Sequence, residues 1–113
     1  MHTLFVYGTL KRGYGNHPLI AGALPLGEDA VPGVLYAQGA PIAVRAEGEG
    51  WVEGELYDVT PEQLAECDRL EGHPRAYRRE RVTTRRGRWA EVYYWQHAPA
   101  PGAEPLPNGR WPR

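Results

Sequence analysis

An apolar run that ends at a glycine near the start of the chain is the feature that most constrains the fold. Residues 4–7 are Leu-Phe-Val-Tyr, and Gly8, Thr9 and Leu10 follow directly. A short run rich in Val, Phe and Tyr predicts a buried strand, here over residues 3–7. Because glycine has no Cβ, Gly8 lets the backbone turn sharply where the strand ends. The sequence therefore predicts a buried strand followed by a loop with accessible backbone N–H groups.

Such a loop can be either an anion-binding site or a simple turn. Backbone N–H groups that converge in a loop bind carboxylates and the oxyanions that develop during a reaction. The alternative is a plain turn between two strands. A Walker phosphate-binding loop is excluded, because no Gly-Lys-Ser or Gly-Lys-Thr follows at the required spacing.

The composition predicts one small globular domain and argues against two classes of partner. The chain has 113 residues, of which 42% are hydrophobic and 24% charged, as in ordinary globular domains. Lys+Arg number 13 and Asp+Glu 14, for a formal net charge of −1, which argues against nucleic acid and anionic membranes. Arginines crowd residues 75–88, but Glu80 interrupts them. We expect most of them on solvated strand faces rather than in a nucleic-acid patch.

Cysteine and histidine content predicts no disulfide and no metal site. Cys67 is the single cysteine, and the 4 histidines are scattered without ligand spacing. No apolar run approaches the roughly 18 residues of a spanning helix, and we expect no signal peptide before the first strand. The expected location is the reducing cytoplasm, with no membrane partner.

Short strand patterns occupy most of the chain. Extended runs are predicted at residues 24–29, 33–37, 42–46, Trp51–Val59, 76–84 and 88–96, the last two forming a hairpin. A short helix is predicted to open at Asn16, with Asn16 as N-cap and Pro18 in its first turn.

One strong helix signal stands between these strands. Thr60 can cap the helix, Pro61 suits its first position, and Gln63 completes a capping box. The helix is predicted to run to about Leu70 and to stop at Gly72. Many short strands with one good helix predict an α+β fold, a single domain with a small mixed β-barrel core. We expect this domain over residues 1–97, with a Pro-rich C-terminal tail over residues 98–113.

Glu71 is the candidate catalytic residue. At about 100° per residue, a helix that includes Glu71 places it on the same inward face as Leu64. A carboxylate that is buried without a partner is costly, so such a group is usually paired or functional. The alternative is that the helix ends at Leu70 and leaves Glu71 as a solvated C-terminal residue.

Several motifs occur in order along the chain. Tyr-Gly-Thr-Leu begins at Tyr7, Gly-Glu-Leu-Tyr begins at Gly54, and Glu-Gly-His-Pro begins at Glu71 and is followed by Tyr77. With their spacing, over residues 3 to about 95, these motifs resemble the gamma-glutamylcyclotransferase-like superfamily, also called AIG2-like. The resemblance implies that family's barrel-like fold.

The resemblance also implies an activity: a small γ-glutamyl compound is cyclised to 5-oxoproline and an amine is released. This intramolecular aminoacyl transfer implies no metal, nucleotide or redox cofactor. The resemblance assigns the general acid/base to Glu71, and the loop at residues 7–10 would hold a carboxylate or oxyanion. The substrate-binding candidates are Tyr7, Gly8, Thr9, Leu10 and Tyr77. Tyr77 could instead be a core aromatic with a satisfied hydroxyl.

The identity of the substrate stays open at this point. A γ-glutamylamine, a γ-glutamyl amino acid, a γ-glutamyl-modified metabolite and an ε-(γ-glutamyl)lysine-like isopeptide all fit the reaction. We expect Asp68 to support the site or to lie on the helix surface, rather than to act as a second catalytic carboxylate. Lys11 and Arg12 are expected to face solvent at the mouth of the site.

Two other functions compete with the enzyme. One is a non-catalytic small-ligand binding module of the same fold, which would have no need of an acid/base at Glu71. The other is an interaction protein whose surface carries the aromatic side chains of Trp89, Tyr93, Tyr94 and Trp95.

Overall fold

The computed structural model describes residues 1–112, which form seven strands, one α-helix and two short 3₁₀ helices. The strands are β1 (His2–Val6), β2 (Leu24–Pro32), β3 (Val34–Gln38), β4 (Ala40–Val44), β5 (Trp51–Val59), β6 (Tyr77–Thr83) and β7 (Trp89–Trp95). The α-helix is α1 (Pro61–Glu71), and the 3₁₀ helices are His17–Ile20 and Pro107–Gly109. This arrangement confirms the predicted single α+β domain with one main helix.

Five strands form a mixed sheet in the order β2-β5-β1-β7-β6, and β3 and β4 form a separate hairpin. β1 pairs antiparallel with β5 and parallel with β7. The edge strand β2 meets the turn that follows β6, where the Arg85 N–H donates to the Ala30 carbonyl at 2.9 Å. The edge strands β2 and β6 form no ladder within residues 1–112, so the sheet stays open. The predicted barrel is therefore only loosely correct, because the sheet is not closed.

The sheet is buried on both faces. Phe5 of β1 belongs to a core cluster with Leu56 and Tyr94, whereas its neighbour Leu4 belongs to a second cluster with Leu64. Because side chains alternate along a strand, a strand covered on both sides has a continuous apolar run. This double burial explains the sequence of β1.

Local signals set both ends of α1. The Thr60 hydroxyl accepts from the Gln63 N–H at 3.0 Å, and the Gln63 side chain accepts from the Thr60 N–H at 2.9 Å. At the other end Gly72 has a φ of 64°, the left-handed conformation that ends a helix. The predicted capping box and stop are confirmed, but α1 extends one residue beyond Leu70 and includes Glu71.

The predicted helix at Asn16 is a single 3₁₀ turn, and Asn16 does not cap it with its side chain. Instead the Asn16 amide donates to the Thr9 hydroxyl at 2.8 Å, because the chain folds back onto the loop after β1. The predicted strand at residues 24–29 is also too short. β2 continues to Pro32, where it still pairs with Trp51 of β5.

The segment after residue 97 packs against the rest of the fold. Leu106 is buried, and its N–H donates to the Leu35 carbonyl at 2.7 Å. Trp111 packs on Tyr14, with ring centroids 5.2 Å apart. The division between a domain at residues 1–97 and a tail at 98–113 stays a prediction. None of the helices in residues 1–112 has the length and apolar character needed to cross a membrane.

Candidate active site

A small cavity of about 60 Å³ lies where the loop after β1, the β3–β4 hairpin and the end of α1 meet. All six residues predicted for the site line it: Tyr7, Gly8, Thr9, Leu10, Glu71 and Tyr77. The structure thus brings together residues that are up to 70 positions apart in the chain. Phe5, Val6, Ala40, Pro41 and Tyr93 complete the wall.

Glu71 is the one acid in this wall. Its side chain forms no hydrogen bond or ion pair with any group of residues 1–112. Burial raises the pKa of Glu71 from 4.5 to about 7, because the charged form loses water and gains no partner. Glu71 therefore does not lie in the solvated position considered as an alternative. A carboxyl group that titrates near neutral pH can both take up and return a proton.

The loop after β1 lines the cavity with three consecutive residues, Gly8, Thr9 and Leu10. It is held as a turn, because the Gly8 carbonyl accepts from the Lys11 N–H at 3.0 Å and the Thr9 carbonyl accepts from the Asn16 N–H at 2.9 Å. The N–H groups of Gly8, Thr9 and Leu10 donate to no other group of residues 1–112. Unpaired N–H groups on consecutive residues are suited to binding an anionic oxygen.

Gly8 is required here by a close approach rather than by an unusual backbone angle. A Cβ on Gly8 would lie 2.6 Å from Cγ of Pro41, far inside van der Waals contact. Pro41, which belongs to β4, also accepts a hydrogen bond from the Tyr77 hydroxyl at 3.1 Å. Pro41 therefore joins two walls of the cavity.

Two tyrosines that flank the cavity have their hydroxyl groups already bonded to the protein. The Tyr7 hydroxyl donates to the Tyr93 carbonyl at 2.7 Å, and the Tyr77 hydroxyl donates to Pro41. Burial, with the charge of Glu71 as a smaller cause, raises the pKa of Tyr77 to about 12 and that of Tyr7 well above its ordinary range. Both side chains are neutral phenols at physiological pH. Tyr77 is thus both a cavity wall and an aromatic with a satisfied hydroxyl.

Asp68 has a different environment from Glu71. It accepts two hydrogen bonds from Arg79, both at 3.0 Å, and one from the Tyr93 hydroxyl at 2.6 Å. Burial favours the neutral acid, but these hydrogen bonds outweigh it and lower the pKa of Asp68. Asp68 is absent from the cavity wall. An ionised carboxylate with these partners is not suited to proton transfer.

The expectation for Lys11 is wrong. Its ammonium group donates to the Trp111 carbonyl, and partial burial lowers its pKa. The C-terminal segment folds over this lysine, which the sequence pattern did not indicate. The Arg12 side chain is exposed as expected.

The cavity residues that the sequence did not indicate are Phe5, Val6, Ala40, Pro41 and Tyr93. Of the aromatic side chains weighed as an interaction surface, Tyr93 and Tyr94 are buried, with exposed fractions of 3% and 0%, which disfavours that alternative. Tyr94 and Tyr93 belong to the two different core clusters of the sheet, so both faces of β7 are covered at these positions. A position in the middle of a sheet is a tertiary property, and no local pattern could have assigned it.

Within residues 1–112, no three His, Cys, Asp or Glu side chains come together so as to hold a metal ion.

Known proteins are similar to this chain over most of its length. The family model described as "Gamma-glutamyl cyclotransferase, AIG2-like" matches residues 4–113. The gamma-glutamylcyclotransferase family protein YtfP of Escherichia coli K12 is 34% identical over 111 residues, which cover 96% of this chain and 94% of that protein.

Solved structures show the same fold. A protein from Pyrococcus horikoshii superposes with a TM-score of 0.82 at 31% identity, covering 97% of this chain and 89% of that one. An AIG2-like protein from Mus musculus superposes with a TM-score of 0.77 at 30% identity, covering 88% of this chain and 80% of that one. The chain belongs to the gamma-glutamyl cyclotransferase, AIG2-like family.

Proposed function

We propose that this protein cyclises a small γ-glutamyl compound to 5-oxoproline and releases an amine. The observation that carries the proposal is the unpaired Glu71 carboxyl in a cavity that is also lined by the donor loop at residues 8–10. Membership of the family supports the class of reaction.

The reaction needs one proton-transfer group and a site that folds the substrate. A γ-glutamyl group has a free α-amine, which can attack its own γ-carbonyl once it has lost a proton. A bond forms between the α-nitrogen and the γ-carbonyl carbon, and the bond from that carbon to the departing amine breaks. The products are a five-membered lactam and the amine. Because the attack is intramolecular, holding the reactive conformer accounts for much of the rate acceleration.

Glu71 is the group that moves the protons in this proposal. Its ionised carboxylate takes a proton from the α-ammonium, and the resulting acid gives a proton to the departing nitrogen. A pKa of about 7 leaves both forms populated near neutral pH. The neighbouring phenols of Tyr7 and Tyr77 have higher pKa values and act as walls.

The loop supplies the anion-binding part of the site. Among residues 1–112, no lysine or arginine lines the cavity, so a substrate carboxylate would have no cationic side chain to bind there. The backbone N–H groups of Gly8, Thr9 and Leu10 are the available donors. They would hold the α-carboxylate or the oxyanion that develops on the γ-carbonyl.

The direct test is an assay of the purified protein with a panel of γ-glutamyl compounds, in which 5-oxoproline is measured by mass spectrometry. The panel contains γ-glutamylamines, γ-glutamyl amino acids and an ε-(γ-glutamyl)lysine isopeptide. We expect turnover of at least one compound, and a loss of ~10²–10⁴-fold in Glu71→Gln.

Glu66→Gln is the matched control, because Glu66 lies on the same helix but pairs with Arg69 on the exposed surface. It should keep wild-type activity. Binding of 5-oxoproline without turnover of any compound would favour the non-catalytic binding module. Wild-type activity in Glu71→Gln would show that another group transfers the proton.

A further inference from the structure

Asp68 lies one helical turn before Glu71 on α1, and Arg79 of β6 holds it from the side. Nε and Nη2 of Arg79 donate to the two carboxylate oxygens of Asp68, each at 3.0 Å. This two-point contact fixes both the distance and the angle between the groups, which a single ion pair does not. It ties the last turn of the helix to the sheet.

The contact is part of a longer polar chain that reaches the cavity wall. The Tyr93 hydroxyl donates to Asp68 at 2.6 Å, and the Tyr93 carbonyl accepts from the Tyr7 hydroxyl at 2.7 Å. On the other side Nη1 of Arg79 donates to Glu91 of β7 at 2.7 Å. The chain thus connects the helix end, two strands of the sheet and a tyrosine of the cavity.

The pair is too well enclosed to be an ordinary surface salt bridge. The side chains of Arg79 and Asp68 are 22% and 24% exposed, whereas those of the surface pair Arg69 and Glu66 are 69% and 51% exposed. Solvent and salt screen an enclosed pair less. A rigid contact of this kind can hold the turn that carries Glu71.

We propose that Asp68 and Arg79 are a positioning pair, which holds the last turn of α1 so that the Glu71 carboxyl stays in the cavity and away from water. This rests on the proposed role of Glu71. Neither residue touches the substrate; both act through the helix.

The ionisation of Glu71 should report on this positioning. The titratable groups that face it are the phenols of Tyr7, Tyr77 and Tyr93 and the thiol of Cys67, all neutral at pH 7 because burial raises their pKa values. No cation faces Glu71 within residues 1–112, so burial alone sets its pKa. If the helix turn loosens and water enters, the pKa of Glu71 falls towards its ordinary value of 4.5.

The test uses Arg79→Lys and Asp68→Asn. Arg79→Lys keeps the positive charge but loses the planar fork that makes the two-point contact. Asp68→Asn keeps the shape but removes the charge. In both variants we expect the acid limb of the pH profile of kcat/KM to move to lower pH by roughly one unit. We also expect kcat to fall by about tenfold at its plateau.

Arg69→Lys is the matched control, since Arg69 lies on the same helix but pairs on its exposed face. Arg69→Lys should leave both the acid limb of the kcat/KM profile and the value of kcat unchanged. A lower unfolding midpoint in Arg79→Lys and Asp68→Asn, with the acid limb unmoved, would show a purely structural role and overturn the proposal.

A second readout separates this proposal from the proposed function. The carboxyl carbon of Glu71 can be titrated by ¹³C NMR in labelled protein without substrate, with Glu71→Gln identifying its signal. A downward shift of this titration in Arg79→Lys supports positioning even if no γ-glutamyl compound is turned over. An unchanged titration contradicts positioning even if the enzyme is active.

Discussion

Gly8 and Pro41 are in such close contact that a Cβ on Gly8 would come within 2.6 Å of the proline ring. The loop that lines the cavity is thereby packed directly against the β3–β4 hairpin. A side chain at position 8 would move one of these two walls. The contact links the folding of the hairpin to the shape of the candidate site.

Gly8→Val should therefore raise KM for a γ-glutamyl substrate and lower stability together. Overpacking of this kind typically costs about 1–3 kcal/mol. Thr9→Ser is the control, because it keeps the backbone N–H and the hydroxyl that accepts from Asn16; it should be nearly silent. KM, kcat and the unfolding midpoint are measured for both. If Thr9→Ser lost activity while Gly8→Val kept wild-type activity and stability, binding would depend on the Thr9 side chain.

Glu71→Gln should be more stable than the wild type above pH 7. The pKa of Glu71 is raised from 4.5 to about 7 in the folded state, so between these values the folded protein holds a proton that the unfolded chain releases. The contribution of Glu71 to the free energy of unfolding is therefore fully present below pH 4.5. It decreases as the pH rises to 7 and stays reduced above pH 7. Glutamine does not titrate and should escape this loss, which is on the order of 3 kcal/mol.

Thermal unfolding of the two proteins between pH 4 and pH 8 measures the difference. The midpoints should coincide near pH 4 and separate as the pH rises. A gap that is independent of pH would mean that Glu71 is not desolvated in the folded protein.

A bound carboxylate should occupy the loop. In crystals grown with 5-oxoproline or acetate, we expect a carboxylate oxygen within hydrogen-bond distance of the N–H groups of Gly8, Thr9 and Leu10. The Glu71 side chain should lie in the same cavity. A ligand that binds elsewhere, with this loop empty at saturating concentration, would contradict the proposed anion site.

Activity should survive exhaustive chelation. Among residues 1–112, those that line the cavity include one carboxylate and no histidine or cysteine, which is too few ligands for a catalytic metal ion. Turnover is assayed after dialysis against EDTA, with and without added divalent metals. A loss with EDTA that one specific metal restores would require a different mechanism.

The capping box of α1, its stop at Gly72 and the buried character of β1 were determined by the sequence alone, although the last residue of the helix was not. Thr60, Gln63 and Gly72 act on backbone groups within a few residues of themselves, so their effect can be read without knowing the rest of the fold. The apolar run of β1 likewise indicates burial directly. The motif order from Tyr7 to Tyr77 was enough to identify the family.

Only the tertiary structure decided how these pieces meet. Asn16 binds the loop instead of capping a helix, Tyr93 is enclosed in the sheet, and Pro41 closes against Gly8. The Tyr93 and Pro41 outcomes depend on residues that are distant in sequence, and the Asn16 contact depends on how the loop after β1 folds back. The raised pKa of Glu71 has the same origin: a helical pattern can turn a carboxyl inward, but the strands and loops packed around it determine how much water remains.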